Sequence, residues 1–69
     1  MTLGEKIKAI RNEHNLDQKE FGKIFNVEFS TISRWEADDN IPNIYIVLDI
    51  IRHFNIDYYE FFEDLNKKQ

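Results

Sequence analysis

The segment Phe29–Glu36, with the sequence FSTISRWE, combines two kinds of side chain at helical spacing. Its hydroxyls and single arginine can form hydrogen bonds with base edges, and a bidentate arginine on guanine contributes about 1–3 kcal/mol of discrimination. Ile32 and Trp35, three residues apart, fall on the opposite side of such a helix. The segment therefore predicts a helix with one buried face and one polar face suited to the major groove of DNA.

The outward side chains leave alternatives open when they are considered one by one. Arg34 can read a base, contact a phosphate or remain in solvent. Ser30 and Thr31 can contact bases or simply occupy the first turn of the helix. Phe29 can pack on a thymine methyl group or against the protein itself.

Other chemistries find little support in the sequence. The absence of cysteine excludes disulfides and thiolate metal sites. His14 and His53 are far apart, and Asp38-Asp39-Asn40 lacks the spacing and closing glutamate of a calcium loop. We find no activated nucleophile and no phosphate-binding glycine loop. We therefore expect no enzymatic activity, no metal and no cofactor.

Length and charge indicate a single small domain with an uneven charge distribution. The chain has 69 residues, and no apolar run approaches the roughly 18 residues of a membrane span. We expect a soluble, cytoplasmic protein. Residues 1–36 carry six positive and six negative side chains, whereas residues 37–69 carry the whole net charge of −4. An anionic partner should therefore approach the first half.

Start and stop signals divide the chain into five short helices, and no segment predicts a strand. The helix starts are Thr2 with Glu5, Asp17 with Glu20, about Glu28, Asn43, and Asp57 with Glu60. Asn15 suits the left-handed turn after helix 1, and Pro42 fixes the exit of the loop after helix 3. The sequence predicts an all-α domain over residues 1–66 and a frayed tail over 67–69.

Helical periodicity predicts which apolar side chains face the core. They are Leu3, Ile7 and Ile10 in helix 1, Phe21, Ile24 and Phe25 in helix 2, Ile44, Val47, Leu48, Ile51 and Phe54 in helix 4, and Tyr58, Phe61 and Phe62 in helix 5. Ile46 and Ile50 fall on a neighbouring face of helix 4, which we expect to be exposed.

Five blocks of sequence then identify a family: LGEKIKAIR, LDQKEFGKIFNV, STISRWE, IP and FNIDYYEFF. With them the chain resembles the Cro and lambda-repressor-like (XRE-type) helix-turn-helix family over nearly its whole length. The resemblance implies a five-helix domain in which helices 2 and 3 form the helix-turn-helix. It also implies a transcriptional regulator, with repression as the expected direction, that binds operator DNA as a two-fold dimer.

The resemblance also implies roles for individual residues. Gln18 matches a position that bonds a DNA phosphate and braces the recognition helix, and Arg11 with Glu36 matches an ion pair between helices 1 and 3. The outward, DNA-reading face of helix 3 corresponds to Phe29, Ser30, Thr31, Ser33 and Arg34.

Several positions depart from the family pattern. Asn26 stands where the turn usually has glycine, and Gly22 stands where alanine is usual. Glu28 replaces a common serine or threonine cap and places a carboxylate near the groove. In the loop after helix 3, Asp38 and Asp39 should weaken phosphate binding unless they are turned away.

The apolar side chains Tyr45, Ile46 and Tyr59 occupy places where the family often has polar residues. Exposed apolar patches commonly mark interfaces, so these residues predict a homodimer through helix 5 and the adjoining surface of helix 4. The alternative is that a small aromatic core absorbs them.

Two other functions remain open. The acidic second half suits a protein-interaction module on the same fold, an antirepressor or antitoxin-like protein with weak or no DNA binding. The chain can also be the DNA-binding domain of a longer regulator. The sign of the surface around helix 3 separates the first alternative from a DNA reader, because Glu28, Asp38 and Asp39 would make that surface acidic.

Overall fold

The computed structural model describes residues 1–66 and places five α-helices in them, without a strand in that range. The helices are α1 (Leu3–Glu13), α2 (Gln18–Ile24), α3 (Phe29–Glu36), α4 (Ile44–His53) and α5 (Tyr58–Asn66). The predicted all-α class is confirmed. The tail predicted at 67–69 lies outside the described residues. No helix of the described part is long and apolar enough to cross a membrane.

Side-chain caps fix the starts of four helices. Reciprocal capping boxes are present at Thr2 with Glu5 and at Asp17 with Glu20. Asn43 and Asp57 each accept a hydrogen bond from the backbone amide three residues on, at 3.0 Å. In contrast, Glu28 caps α3 without a side-chain hydrogen bond, and α3 begins at Phe29.

Asparagines in the left-handed conformation follow three of the helices. Asn15, Asn26 and Asn55 have φ values of 57°, 58° and 52°, a region that asparagine tolerates better than most residues. Asn26 thus fills the role of the family's usual glycine in the turn between α2 and α3. That turn brings the Val27 carbonyl oxygen so close to Gly22 that a Cβ atom there would lie only 2.3 Å from it.

All five helices contribute to one apolar core, and its burial is the main source of the fold's stability. The fully or almost fully buried side chains are Ile7, Ile10, Phe21, Ile32, Trp35, Val47, Ile50, Ile51 and Phe61. Ile32 and Trp35 therefore anchor α3 to the rest of the domain, as their spacing predicts.

Several predicted orientations are wrong. Ile50, expected on an exposed face of α4, is only 1% exposed and belongs to the core. Conversely, Ile44, Tyr58 and Phe62, expected to face inward, are exposed, and so is Ile24 at the end of α2. In α4 and α5, which carry apolar groups on several sides, the packing of the helices selects the buried face and periodicity alone does not.

Candidate nucleic-acid interface

The two faces of α3 differ sharply in exposure. Ile32 is completely buried and Trp35 nearly so, whereas Phe29 is 58% exposed. Four of the five residues predicted to read DNA are exposed, and the fifth, Thr31, is half-buried; the exposed four are Phe29, Ser30, Ser33 and Arg34. The helix thus presents hydroxyl groups, an aromatic ring and a guanidinium to solvent on one side.

An ion pair at the end of α3 joins it to α1. Arg11 donates from Nε to Glu36 Oε2 at 2.6 Å and from Nη2 to Glu36 Oε1 at 2.9 Å. The two side chains are only 12% and 5% exposed. The hydrogen bond to Glu36 raises the pKa of Arg11 above its usual value, so the guanidinium stays charged. The predicted ion pair is confirmed.

Two further hydrogen bonds extend this pair. Arg11 Nη1 donates to the carbonyl oxygen of Leu16 at 2.9 Å, which fastens the connection between α1 and α2 to α1. Gln18 Nε2 donates to Glu36 Oε1 at 3.1 Å. Glu36 therefore fixes α3 to both α1 and α2. The bracing role expected of Gln18 is confirmed, and its phosphate contact stays a prediction.

The loop after α3 holds a contact that sequence reasoning missed. Asp38, with φ 61°, accepts a hydrogen bond from Thr2 Oγ1 at 2.7 Å and another from the Gly4 backbone amide at 2.9 Å. Its carboxylate thus faces the N-terminus of α1, where the helix dipole favours a negative charge. Gly4 allows this approach, because a Cβ atom there would lie 2.6 Å from Asp38 Oδ1 and 2.3 Å from the Trp35 carbonyl oxygen.

The two aspartates of this loop consequently differ. Asp38 is bonded to the first turn of α1, and its effect on DNA binding stays a prediction. Asp39 is exposed, and its side chain forms no hydrogen bond or ion pair with residues 1–66. No sequence signal links Asp38 to Thr2, because 36 residues separate them.

Unpaired positive charge concentrates on α2 and α3. Three basic residues of the described part form ion pairs: Lys6 with Asp64 at 2.7 Å, Arg11 with Glu36, and Arg52 with Asp49 at 3.9 Å. Of the lysines and arginines in residues 1–66 that form none, Lys8 belongs to α1, and Lys19, Lys23 and Arg34 belong to the helix-turn-helix. This part of the surface therefore offers positive charge despite the net charge of −4.

Beside the first turn of α3 lies a small open cleft of about 180 Å³. Its lining consists of Lys19, Lys23, Val27, Glu28 and Phe29. Phe29 thus belongs both to the outward face of α3 and to the wall of this cleft. Lys19 and Lys23 were not among the site residues predicted from the sequence, although their spacing of four residues is a helical signal.

The residues predicted to form a dimer interface divide into two groups. Tyr45 and Tyr59 are 75% and 74% exposed, whereas Ile46 is half-buried and packs against the core. Ile41, just before α4, is 81% exposed and was not singled out from the sequence. The dimer itself stays a prediction.

Within residues 1–66 no three histidine, aspartate or glutamate side chains come together in a way that could hold a metal ion.

Comparison with known proteins agrees with this geometry. The sequence profile of the family described as "Helix-turn-helix" matches residues 7–61, which include all of α2, α3 and α4. The chain is also similar to the antitoxin PezA of Streptococcus pneumoniae serotype 4, with 30% identity over 56 residues. That alignment covers 81% of this chain and 35% of the antitoxin, so the chain spans about a third of that relative.

Proposed function

Since the chain belongs to the Cro and lambda-repressor-like (XRE-type) helix-turn-helix family of non-enzymatic, DNA-binding regulators, we propose that it is a cytoplasmic transcriptional repressor that reads a specific operator. One observation carries the proposal: α3 is held rigidly on one side and exposes hydrogen-bonding side chains on the other. Ile32, Trp35 and the Arg11–Glu36 pair provide the anchoring. A rigid helix of this kind enters the major groove without paying for its own ordering.

The outward side chains suit defined contacts. Arg34 is exposed and has no ion-pair partner within residues 1–66, so its guanidinium is free to form a bidentate contact with guanine. Ser30, Thr31 and Ser33 contribute hydroxyls short enough to let the helix approach the bases. Phe29 packs against a thymine methyl group, and Gln18 bonds a backbone phosphate at the start of α2.

A two-fold dimer completes the proposal. Tyr45 and Tyr59 expose apolar surface outside α3, and Ile46 contributes its partly exposed side chain. Burying such groups between two copies lets two recognition helices read half-sites one DNA turn apart, about 34–36 Å.

Sedimentation analysis of the wild type and of Tyr59→Glu tests this dimer. We expect the wild type to be dimeric and the charged side chain to convert it to a monomer. A monomeric wild type at micromolar concentration, with and without operator, would exclude it.

Arg34→Ala tests the reading face directly. We expect selection from a random duplex library to enrich one operator with the wild-type protein. For the variant, discrimination at one base pair should fall about 5- to 150-fold, equivalent to about 1–3 kcal/mol. The midpoint of chemical unfolding should not change, because the side chain is exposed and unpaired. Unchanged operator discrimination by Arg34→Ala would overturn the proposed reading head.

A protein-interaction module is the second candidate, and two observations favour it. The chain is similar to a protein named as an antitoxin, and the second half carries the net negative charge, with Asp39 exposed beside α3. An interaction module with weak or no DNA binding would enrich no sequence from the library, even at low salt. That result would replace the repressor proposal with this one.

A further inference from the structure

An open cleft of about 460 Å³ lies between the end of α2 and the end of α4. Its volume falls within the range of about 300–1,000 Å³ that small-molecule sites occupy. The cleft is lined by Ile24, Phe25, Asn26, Asp49, Arg52 and His53. All six residues lie outside α3, so the proposed reading of DNA does not account for this cleft.

Part of the lining is aromatic and apolar. The rings of Phe25 and His53 meet edge to face, with their centroids 5.6 Å apart. Ile24, the residue before Phe25, is 38% exposed. Because aromatic rings prefer edge-to-face or offset contacts with one another, this part of the cleft suits another flat ring.

The cleft also carries two opposite charges that engage each other only weakly. Arg52 Nη1 lies 3.9 Å from Asp49 Oδ1, which is too far for a hydrogen bond. The two side chains are 65% and 61% exposed, and an exposed pair of this kind contributes little to stability. Residues three apart on a helix are neighbours on its surface. Both charges therefore remain available to a ligand at one place on α4.

Asn26 adds an uncharged polar group to the cleft. It stands in the turn between α2 and α3, with φ 58°, and its side-chain amide forms no hydrogen bond with residues 1–66. An amide side chain both donates and accepts hydrogen bonds, so it can bond either charged group of a ligand. The cleft thus combines a cation, an anion, an amide and aromatic rings.

From this combination we propose that the cleft binds a free aromatic amino acid. The carboxylate of the amino acid suits the Arg52 guanidinium, and its ammonium group suits the Asp49 carboxylate. A single carbon atom separates these two charges in the ligand, which matches two opposite charges that are neighbours on α4. The ring of the amino acid packs against Phe25 and His53, and Asn26 donates a hydrogen bond to the ligand's carboxylate. This site goes beyond the proposed function and does not depend on it.

Titration with L-phenylalanine, followed by two-dimensional NMR of the nitrogen-labelled protein, tests the site. We expect shifts of the backbone amide signals at residues 24–26 and 49–53. The dissociation constant should be on the order of 1 mM, because an open cleft covers only part of a small ligand. Three analogues each lack one group: phenylacetate lacks the ammonium, phenethylamine lacks the carboxylate and L-alanine lacks the ring. Each should bind at least about threefold more weakly than L-phenylalanine.

Two substitutions should give a crossed pattern. Arg52→Gln should weaken L-phenylalanine about three- to tenfold and leave phenethylamine, which has no carboxylate, as it was. Asp49→Asn should weaken L-phenylalanine by a similar factor and leave phenylacetate, which has no ammonium, as it was. A merely structural role would not produce this pattern, because a damaged cleft would bind every ligand less well.

Lys8→Gln is the matched control, since it also removes one exposed positive charge. Lys8 belongs to α1 and lines a separate depression that includes Met1. We expect this variant to bind all four ligands as the wild type does. We also expect the wild type and the three variants to unfold at the same denaturant concentration, because the substituted side chains are exposed.

An absence of shifts at residues 24–26 and 49–53 up to about 20 mM L-phenylalanine, some twenty times the expected constant, would overturn the inference. Equal affinity for L-phenylalanine and its three analogues would overturn it too, because no group of the ligand would then be recognised. An equal loss of affinity in Arg52→Gln and Lys8→Gln would show that charge alone, and not this cleft, attracts the ligand. These titrations contain no DNA, so the reading head of α3 is tested separately by the library selection.

Discussion

The two sides of α3 differ in whether their charged side chains are paired. On the inward side, Glu36 is nearly buried and fully engaged by Arg11 and Gln18. On the outward side, Arg34 is exposed and forms no ion pair within residues 1–66. Charge on the inward side serves to hold the helix at one angle, whereas charge on the outward side remains available to a partner. Stability and recognition are thus assigned to different residues of the same eight-residue helix.

The adjoining loop repeats this division on a smaller scale. Asp38 bonds the first turn of α1, and Asp39 faces solvent without a partner in residues 1–66. One of the two carboxylates of the loop is thus engaged in the fold, and the other is available to a partner. Substitutions on the inward and outward sides test this division, from the largest expected effect to the smallest.

Trp35→Ala should have the largest effect. The indole is 5% exposed in the core, and its removal should lower the free energy of unfolding by about 3–5 kcal/mol. Arg34→Ala, one residue away, should change it by less than about 0.5 kcal/mol. Chemical denaturation followed by circular dichroism measures both. Equal destabilisation by the two substitutions would mean that α3 is not divided into an anchoring side and a reading side.

Glu36→Gln should have the next largest effect. It leaves the Arg11 guanidinium, only 12% exposed, beside a neutral amide, and we expect a loss of about 1.5–3 kcal/mol in the free energy of unfolding. Operator affinity should fall as well, because α3 loses its link to α1 and α2. The double variant Arg11→Met/Glu36→Leu should recover part of the stability, since apolar groups replace a buried pair without leaving a lone charge. A double variant less stable than Glu36→Gln would contradict this account.

Asp38→Gly should have a moderate effect that Asp39→Gly does not share. Glycine adopts the φ of 61° without strain, so the substitution removes only the bonds to Thr2 and Gly4. We expect a loss of about 1–2 kcal/mol in the free energy of unfolding for Asp38→Gly, and less than about 0.5 kcal/mol for Asp39→Gly. For DNA affinity the order should reverse, because only Asp39 presents a free carboxylate. Equal stability losses would show that Asp38 has no special role.

These contrasts also explain what the sequence could and could not predict. The Arg11–Glu36 pair, the burial of Ile32 and Trp35, and the left-handed Asn26 were predictable because family spacing or local turn chemistry determines them. The bond from Thr2 to Asp38 was not, because it joins a helix start to a loop 36 residues away and only the packed fold brings them together.

Helix 5 shows the limit of periodicity. Its segment YYEFF has aromatic groups on several sides, and the pattern predicted Tyr58, Phe61 and Phe62 as the inward set. Only Phe61 is buried, beneath the Lys6 side chain whose Nζ lies 5.9 Å from the ring centroid. The sequence therefore predicted that α5 packs on the domain but not which ring enters it.

Glu28→Gln should have the smallest effect on the free energy of unfolding, and it tests the outward side of α3 alone. Its carboxylate caps α3 without a side-chain hydrogen bond, so the free energy of unfolding should change by less than about 0.5 kcal/mol. The carboxylate lines the same cleft as Lys19 and Lys23, and it would repel a DNA phosphate that approached this cleft. Removing an exposed like charge at about 4 Å relieves about 1 kcal/mol of repulsion, so affinity should rise up to about fivefold on every duplex.

The same substitution also distinguishes phosphate repulsion from a second role for Glu28. A carboxylate at the groove can also accept a hydrogen bond from the amino group of cytosine. In that case Glu28→Gln should change the preference at one base pair and leave binding to unrelated DNA as it was. Titrating the selected operator and its single-base variants separates the two roles. A uniform gain in affinity would show that Glu28 acts by repelling phosphates, because an effect shared by all sequences cannot come from reading a base.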